Sequence, residues 1–191
     1  MYKRQDVPRS ASRQLTPLRI TLDKQDDLQL LLLQLETSLI GSCCIFQGEE
    51  LGLSDVTNIQ FDKMKDPWGL NFYPEFLGRD TCRTPMVWEK NKPMGGFTSA
   101  NESWLPISEL HMEKAGLDMV KSEGSIYNKF SSFLKWRRKQ PAMISSNKMS
   151  ELSGGPSEII FDRESETQIL RCKFDFELVE ATFEEVTHGT S

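Results

Sequence analysis

Histidine is nearly absent from this chain: there are two, His111 and His188, and they stand alone. The four cysteines, Cys43, Cys44, Cys82 and Cys172, have no metal-ligand spacing. A zinc site needs clustered Cys and His at short, fixed intervals, so the pattern argues against any metal site. Cofactor-binding motifs are also missing. Basic charge is in deficit, with 23 Lys and Arg against 28 Asp and Glu and a formal net charge of -5. No basic patch with interleaved aromatics occurs, which speaks against nucleic acid as a partner. The one basic run, Lys135-Trp-Arg-Arg-Lys139, reads as the solvated last turn of a helix, where cations suit the dipole. Long apolar runs are lacking too. The richest, Leu28–Ile40, falls short of the roughly 20 residues that span a bilayer. No signal-peptide pattern is visible. Cys43 and Cys44 sit in an apolar run and read as small buried hydrophobes, which suits a reducing compartment and a cytoplasmic location.

What the chain does have is concentrated between Gly78 and Trp88, Gly-Arg-Asp-Thr-Cys-Arg-Thr-Pro-Met-Val-Trp. Arg79 and Arg83 flank Asp80, and Pro85 restricts Thr84 to extended geometry, so the stretch is not one helix. Guanidinium forks bind carboxylates or sugar hydroxyls. Taken by themselves, Arg79, Asp80 and Arg83 would form an ion network bracing a buried loop.

Asp26 and Asp27 are helix-start residues, and Leu28, Leu31, Leu32, Leu35 and Leu39 recur at helical spacing up to Gly41. This helix is apolar on nearly all sides and should be buried. Cys43–Phe46 is a short apolar run of the kind found in a buried parallel strand. From Gln47 to Glu123 breakers abound, and a structureless loop of that length would be unusual. A folded excursion of short helices is expected, with Phe61, Trp68, Phe72, Tyr73, Phe76, Trp88, Phe97 and Trp104 available for its core. Ser125–Lys139 is an amphipathic helix with Ile126, Phe130, Phe133, Leu134 and Arg137 inward, ended by Gln140-Pro141. After a Ser/Gly-rich boundary at Ser145–Pro156, Glu158–Arg163 and Gln168–Phe176 read as strands around a turn at Glu164-Ser-Glu166. Val179–Val186 offers a further strand.

Gly41-Ser-Cys-Cys-Ile-Phe-Gln-Gly-Glu-Glu-Leu-Gly-Leu53, Asp66-Pro-Trp-Gly-Leu-Asn-Phe-Tyr-Pro-Glu-Phe76 and the Gly78–Trp88 stretch follow one another in an order that resembles the C-terminal part of alpha-amylase family glycoside hydrolases. Bacterial alpha-glucosidases and oligo-1,6-glucosidases are the type it is most similar to. The resemblance runs from about Asp6 to about Phe176. It implies a fold class of α/β plus all-β: the last part of a TIM (β/α)8 barrel, then a small antiparallel β-sandwich domain. Residues 1–143 would supply the seventh helix, eighth strand, long active-site loop and eighth helix of the catalytic barrel, and residues 144–191 a short C-terminal β-domain. A complete barrel takes about 250 residues, so 191 do not hold one.

The implied activity is retaining hydrolysis of alpha-glucosidic bonds at the non-reducing end of short oligosaccharides. Such chemistry uses a nucleophilic carboxylate and a carboxylic acid about 5 Å apart. By resemblance both belong to earlier barrel strands, and no stretch here is similar to either motif. The resemblance assigns Asp6 as a third carboxylate that stabilises the transition state. It makes Arg79 a sugar contact and puts Gln5 where the family has a sugar-binding histidine. Met1–Gln5 departs from the family pattern, and the chain is expected to begin inside a longer protein. Arg83, Asp80, Glu49 and Glu50 would support the site. Glu49 and Glu50, being adjacent, point to opposite faces of an extended segment, so they suit a turn better than an acid/base pair. The expected partner is a small oligosaccharide, with no cofactor, metal, nucleic acid or membrane. Taken alone the chain should be inactive. Two other readings stay open: a stand-alone carbohydrate-binding or scaffold module, and, within the enzymes, sucrose isomerase or trehalose synthase.

Overall fold

The computed structural model describes residues 24–145 and 148–186. In chain order the elements are α1 (Gln25–Ser38), α2 (Pro67–Phe72), α3 (Glu109–Met112), α4 (Gly116–Lys121), α5 (Ile126–Arg137), α6 (Pro141–Ile144), β1 (Lys148–Met149), β2 (Glu158–Glu164), β3 (Ile169–Asp175) and β4 (Glu180–Glu185). Short 3-10 turns at Glu49–Leu51, Phe61–Lys63, Asp80–Cys82 and Pro93–Gly96 punctuate the long excursion. The described residues group into two compact units, one of Ile45–Asn128 and one of residues 24–44 with 129–186.

The first unit is the excursion, and its core is aliphatic. Leu51, Leu53 and Met86 pack with Met119 and Tyr127. Val56, Ile59 and Met64 pack with Leu77. Backbone hydrogen bonds knit distant segments: Val56 N–H to Thr81 O (2.9 Å), Trp88 N–H to Gly95 O (2.8 Å) and Gly116 N–H to Val87 O (2.9 Å). The Lys114 ammonium donates to Gly52 O at 2.7 Å. His111 is buried with Nε2 2.8 Å from Ser54 O, so it is a core histidine.

The aromatics expected in this core are outside it. Phe61, Trp68, Phe72, Tyr73, Phe76, Trp88, Phe97 and Trp104 are all more than 40% exposed. The cause is visible in α2, whose one buried residue is Gly69. A Cβ at Gly69 would lie 2.4 Å from Met64 Cε and 2.5 Å from Leu77 O. The helix therefore docks by its bare backbone, and its large side chains turn outward.

The second unit holds the sheet. Its four strands pair antiparallel in the order β1-β2-β3-β4. On β3, Leu170, Cys172 and Phe174 are buried while Arg171 faces solvent, the period-two alternation legible in the sequence. Phe174 and Phe183 stack edge to face at 5.7 Å. Burial pushes the Cys172 thiol up to about 12, so the group is inert. The Ser/Gly-rich boundary holds β1, which pairs with β2 through Met149 and Arg163. Two residues are too few to carry a periodic signal.

Helix α1 lies in this unit, with Leu28, Leu31 and Leu33 buried. No basic residue stands in its last turn. Its final carbonyls instead receive guanidinium donors from elsewhere in the unit. Arg137 Nε donates to Thr37 O at 2.6 Å and Arg163 Nη1 to Ser38 O at 2.6 Å. Arg137 also donates to Met143 O at 3.2 Å, so this part of the basic run is turned inward rather than solvated.

The expected strand at Cys43–Phe46 is a correction. Residues 42–46 form no strand and join no sheet, and Cys43 and Cys44 are exposed. Among the described residues β1 to β4 pair with one another, β2 also bridges Ser153 at Ile160, and none pairs with residues 42–46. A strand of a barrel is buried by neighbours on both sides, and none of the described strands takes that place.

Candidate active site

Arg79 stands at the entrance of the Asp80–Cys82 turn, in the first unit. Two buried carboxylates hold it there in a reciprocal clamp. Asp80 Oδ2 accepts the backbone N–H groups of Lys65 (2.5 Å) and Asp66 (2.8 Å). Asp66 Oδ2 in return accepts the backbone N–H of Arg79 at 2.7 Å. The Arg79 guanidinium also reaches Asp66, Nε to Oδ2 at 3.5 Å and Nη2 to Oδ1 at 3.3 Å. Among the described residues the Arg79 guanidinium thus pairs with Asp66, whereas Asp80 takes backbone donors.

The clamp depends on Gly78. Its φ is +68°, in the left-handed region. A Cβ there would stand 2.5 Å from Asp66 Oδ2 and 2.7 Å from Gly69 N. Only a residue without a side chain lets the Asp66 carboxylate reach the next N–H.

Asp66 is 1% exposed as a side chain and Arg79 34%. Burial alone would raise the Asp66 pKa. The Arg79 N–H and guanidinium outweigh it and hold the carboxyl below its ordinary value. The clamp therefore presents a cation, oriented by an ionised buried carboxylate and partly open to solvent. Such a group can donate to hydroxyl or carboxylate oxygens.

Glu49 and Glu50 bind their own turn. Phe46 N–H donates to Glu49 Oε2 at 2.9 Å, and Gly48 N–H to Glu50 Oε2 at 2.8 Å. Arg83 is half-buried just after the Asp80–Cys82 turn. Gln5 and Asp6 lie outside the described residues. Asp66 is the residue that sequence reasoning missed. In the sequence Asp66-Pro67 reads as a breaker, and nothing local signals a partner thirteen residues away. Among the described residues no cluster of three or more His, Cys, Asp or Glu could hold a metal ion. Among them, too, no helix is long and apolar enough to cross a membrane.

A helical excursion built around a braced arginine, with a separate antiparallel sheet, represents the fold class of the last part of a (β/α)8 barrel followed by a β-domain. The chain belongs to the alpha-amylase family, whose catalytic-domain model matches residues 2–146. A probable alpha-glucosidase of Rhizobium meliloti is 44% identical over 113 residues, which cover 59% of this chain and 20% of that protein. An oligo-1,6-glucosidase of Halalkalibacterium halodurans is 26% identical over 152 residues, covering 70% and 27%. Among solved structures, an alpha-glucosyl transfer enzyme, XgtA, superposes with a TM-score of 0.73 at 34% identity, covering 79% of this chain and 28% of that one. The chain thus spans 20% to 28% of the length of these relatives.

Proposed function

We propose that this chain is the C-terminal part of a retaining alpha-glucosidase, and that by itself it does not turn over substrate. The observation that carries the reading is Arg79, a partly exposed guanidinium oriented by a buried carboxylate, within the segment that matches the family. A fixed fork of this kind suits vicinal sugar hydroxyls. In this reading residues 1–143 belong to the catalytic barrel and residues 144–191 to the β-domain. Arg79 and Gln5 contact the glucosyl unit at the non-reducing end of a short oligosaccharide. Asp6 stabilises positive charge developing on the sugar, and Asp80, Arg83, Glu49 and Glu50 keep the surrounding turns in place. The cysteines have no disulfide-framework or metal-ligand spacing in the sequence, which suits the cytoplasmic location included in this reading.

Turnover needs a nucleophile and an acid, and the sequence carries neither motif. Binding a sugar through Arg79 and Asp6 alone supplies ground-state contacts but no path over the barrier. The first test is release of nitrophenol from a nitrophenyl alpha-glucoside by the purified 191-residue chain, where a rate equal to buffer is expected. Turnover that follows the protein through purification would overturn the inactive-fragment reading. It would equally overturn the stand-alone alternative, because that carbohydrate-binding or scaffold module is non-catalytic. No residue of the excursion calls for sucrose isomerase or trehalose synthase chemistry.

A further inference from the structure

We infer that Asp66 is a positioning residue for Arg79: it sets the direction in which the guanidinium meets a glucosyl unit. This rests on the reading of Arg79 as the sugar contact. Asp66 grips Arg79 twice, through the backbone N–H at 2.7 Å and through the guanidinium at 3.3 Å and 3.5 Å. Main chain and side-chain tip are thus tied to one carboxylate, and a long flexible side chain loses most of its rotamer freedom before any sugar arrives. A ligand then need not order it, which is how a preorganised site gains affinity.

The clamp is itself fixed from behind. Asp66 N–H is held by the carboxylate of Asp80, a residue that is 1% exposed. Pro67 follows Asp66 at the first position of α2, and the Trp68 N–H also serves the Asp66 carboxylate. Gly78 leaves the space that the carboxylate occupies. Asp66 is too buried to touch a sugar directly, so its effect on binding passes through Arg79.

The test uses the 15N-labelled 191-residue chain and methyl alpha-D-glucoside as probe. The Arg79 Nε–H resonance is identified by its loss in Arg79→Lys. In the wild type it should move as the glucoside is added, whereas Arg171 Nε–H, paired with Asp162 at 2.9 Å on the sheet, should not. Asp66→Asn keeps an oxygen for the Arg79 backbone N–H but removes the charge facing the guanidinium. Its titration midpoint should rise by about tenfold while the amide spectrum elsewhere is kept.

A midpoint in Asp66→Asn within about twofold of wild type would show that Asp66 only braces the loop, and the inference would fall alone. An Arg79 signal that ignores the glucoside in the wild type would overturn the reading of Arg79 and this inference with it. Should Asp66→Asn lose its folded spectrum, Asp66→Glu takes its place. That variant keeps the charge on a longer arm, and the same shift of midpoint is expected, an unchanged midpoint again refuting the idea.

Discussion

At the scale of single residues, the chain spends its special chemistry on one turn. Asp66, Gly78, Arg79 and Asp80 are each needed by another of the four. Gly78 is the most sensitive to change. Alanine there must hold φ near +68° and place a methyl 2.5 Å from Asp66 Oδ2 and 2.7 Å from Gly69 N. The backbone penalty is about 1–2 kcal/mol. The contact with Gly69 cannot be relieved by turning a side chain, because it is with main chain. Gly78→Ala should therefore destabilise the protein by about 3 kcal/mol in all. That amounts to a fall in Tm of about 10 °C in a chain of this size. Calorimetry reads it directly, and a change of under about 2 °C would mean that the turn is looser than its geometry implies. The sequence announces the importance of Arg79 and Asp80 by their density of charge. It does not announce Asp66, because the contact that defines it spans thirteen residues and has no period.

At the scale of elements, helix ends and strand faces were legible to different degrees. The face of β3 was readable because alternation reports burial directly. The extents of α1 and α5 were readable from helix starts and stoppers, although the buried side of α1 was not. With Leu at six of its fourteen positions, almost every face of α1 is apolar, so spacing cannot choose among them. How α1 ends was invisible as well, since its capping donors come from Arg137 and Arg163, a hundred or more residues on. Arg137 bridges the carbonyls of Thr37 and Met143. Arg137→Met keeps much of the stem and removes both donors. Hydrogen bonds from a charged group are worth about 1.5–3 kcal/mol, and partial exposure lets water replace some of this, so a loss of about 1–2 kcal/mol is expected. The loss should be local first. Amide exchange at residues 35–38 should quicken in Arg137→Met more than exchange in β3. Equal acceleration throughout would show that Arg137 contributes to global stability and not to the end of α1.

At the scale of the whole molecule, family and fold class were legible because they rest on ordered motifs, whereas the destination of the large aromatics was not. Composition places aromatics inside by default. Here a glycine face on α2 and compact aliphatic clusters fill the inside of the first unit, and the aromatics are left at its surface. Phe61 and Tyr73 stand 5.2 Å apart, and Trp68 and Phe72 5.9 Å apart, as exposed pairs. Exposed apolar patches of this kind mark surfaces that associate. A net charge of -5 opposes self-association, but it is spread over 191 residues and is screened beyond about 10 Å at 0.1 M salt. The hydrophobic term should win, and the purified chain should self-associate between about 1 and 100 µM, the range in which exposed apolar surface drives aggregation. Sedimentation velocity across that range should show a rising weight-average coefficient. The double variant Trp68→Ser with Phe72→Ser should lower it without lowering Tm, because both side chains lie outside the core that holds the unit together. A single sedimenting species at every concentration would argue that the exposed aromatics are too scattered to form a contact surface. A fall in Tm alongside reduced association would place them in the core after all.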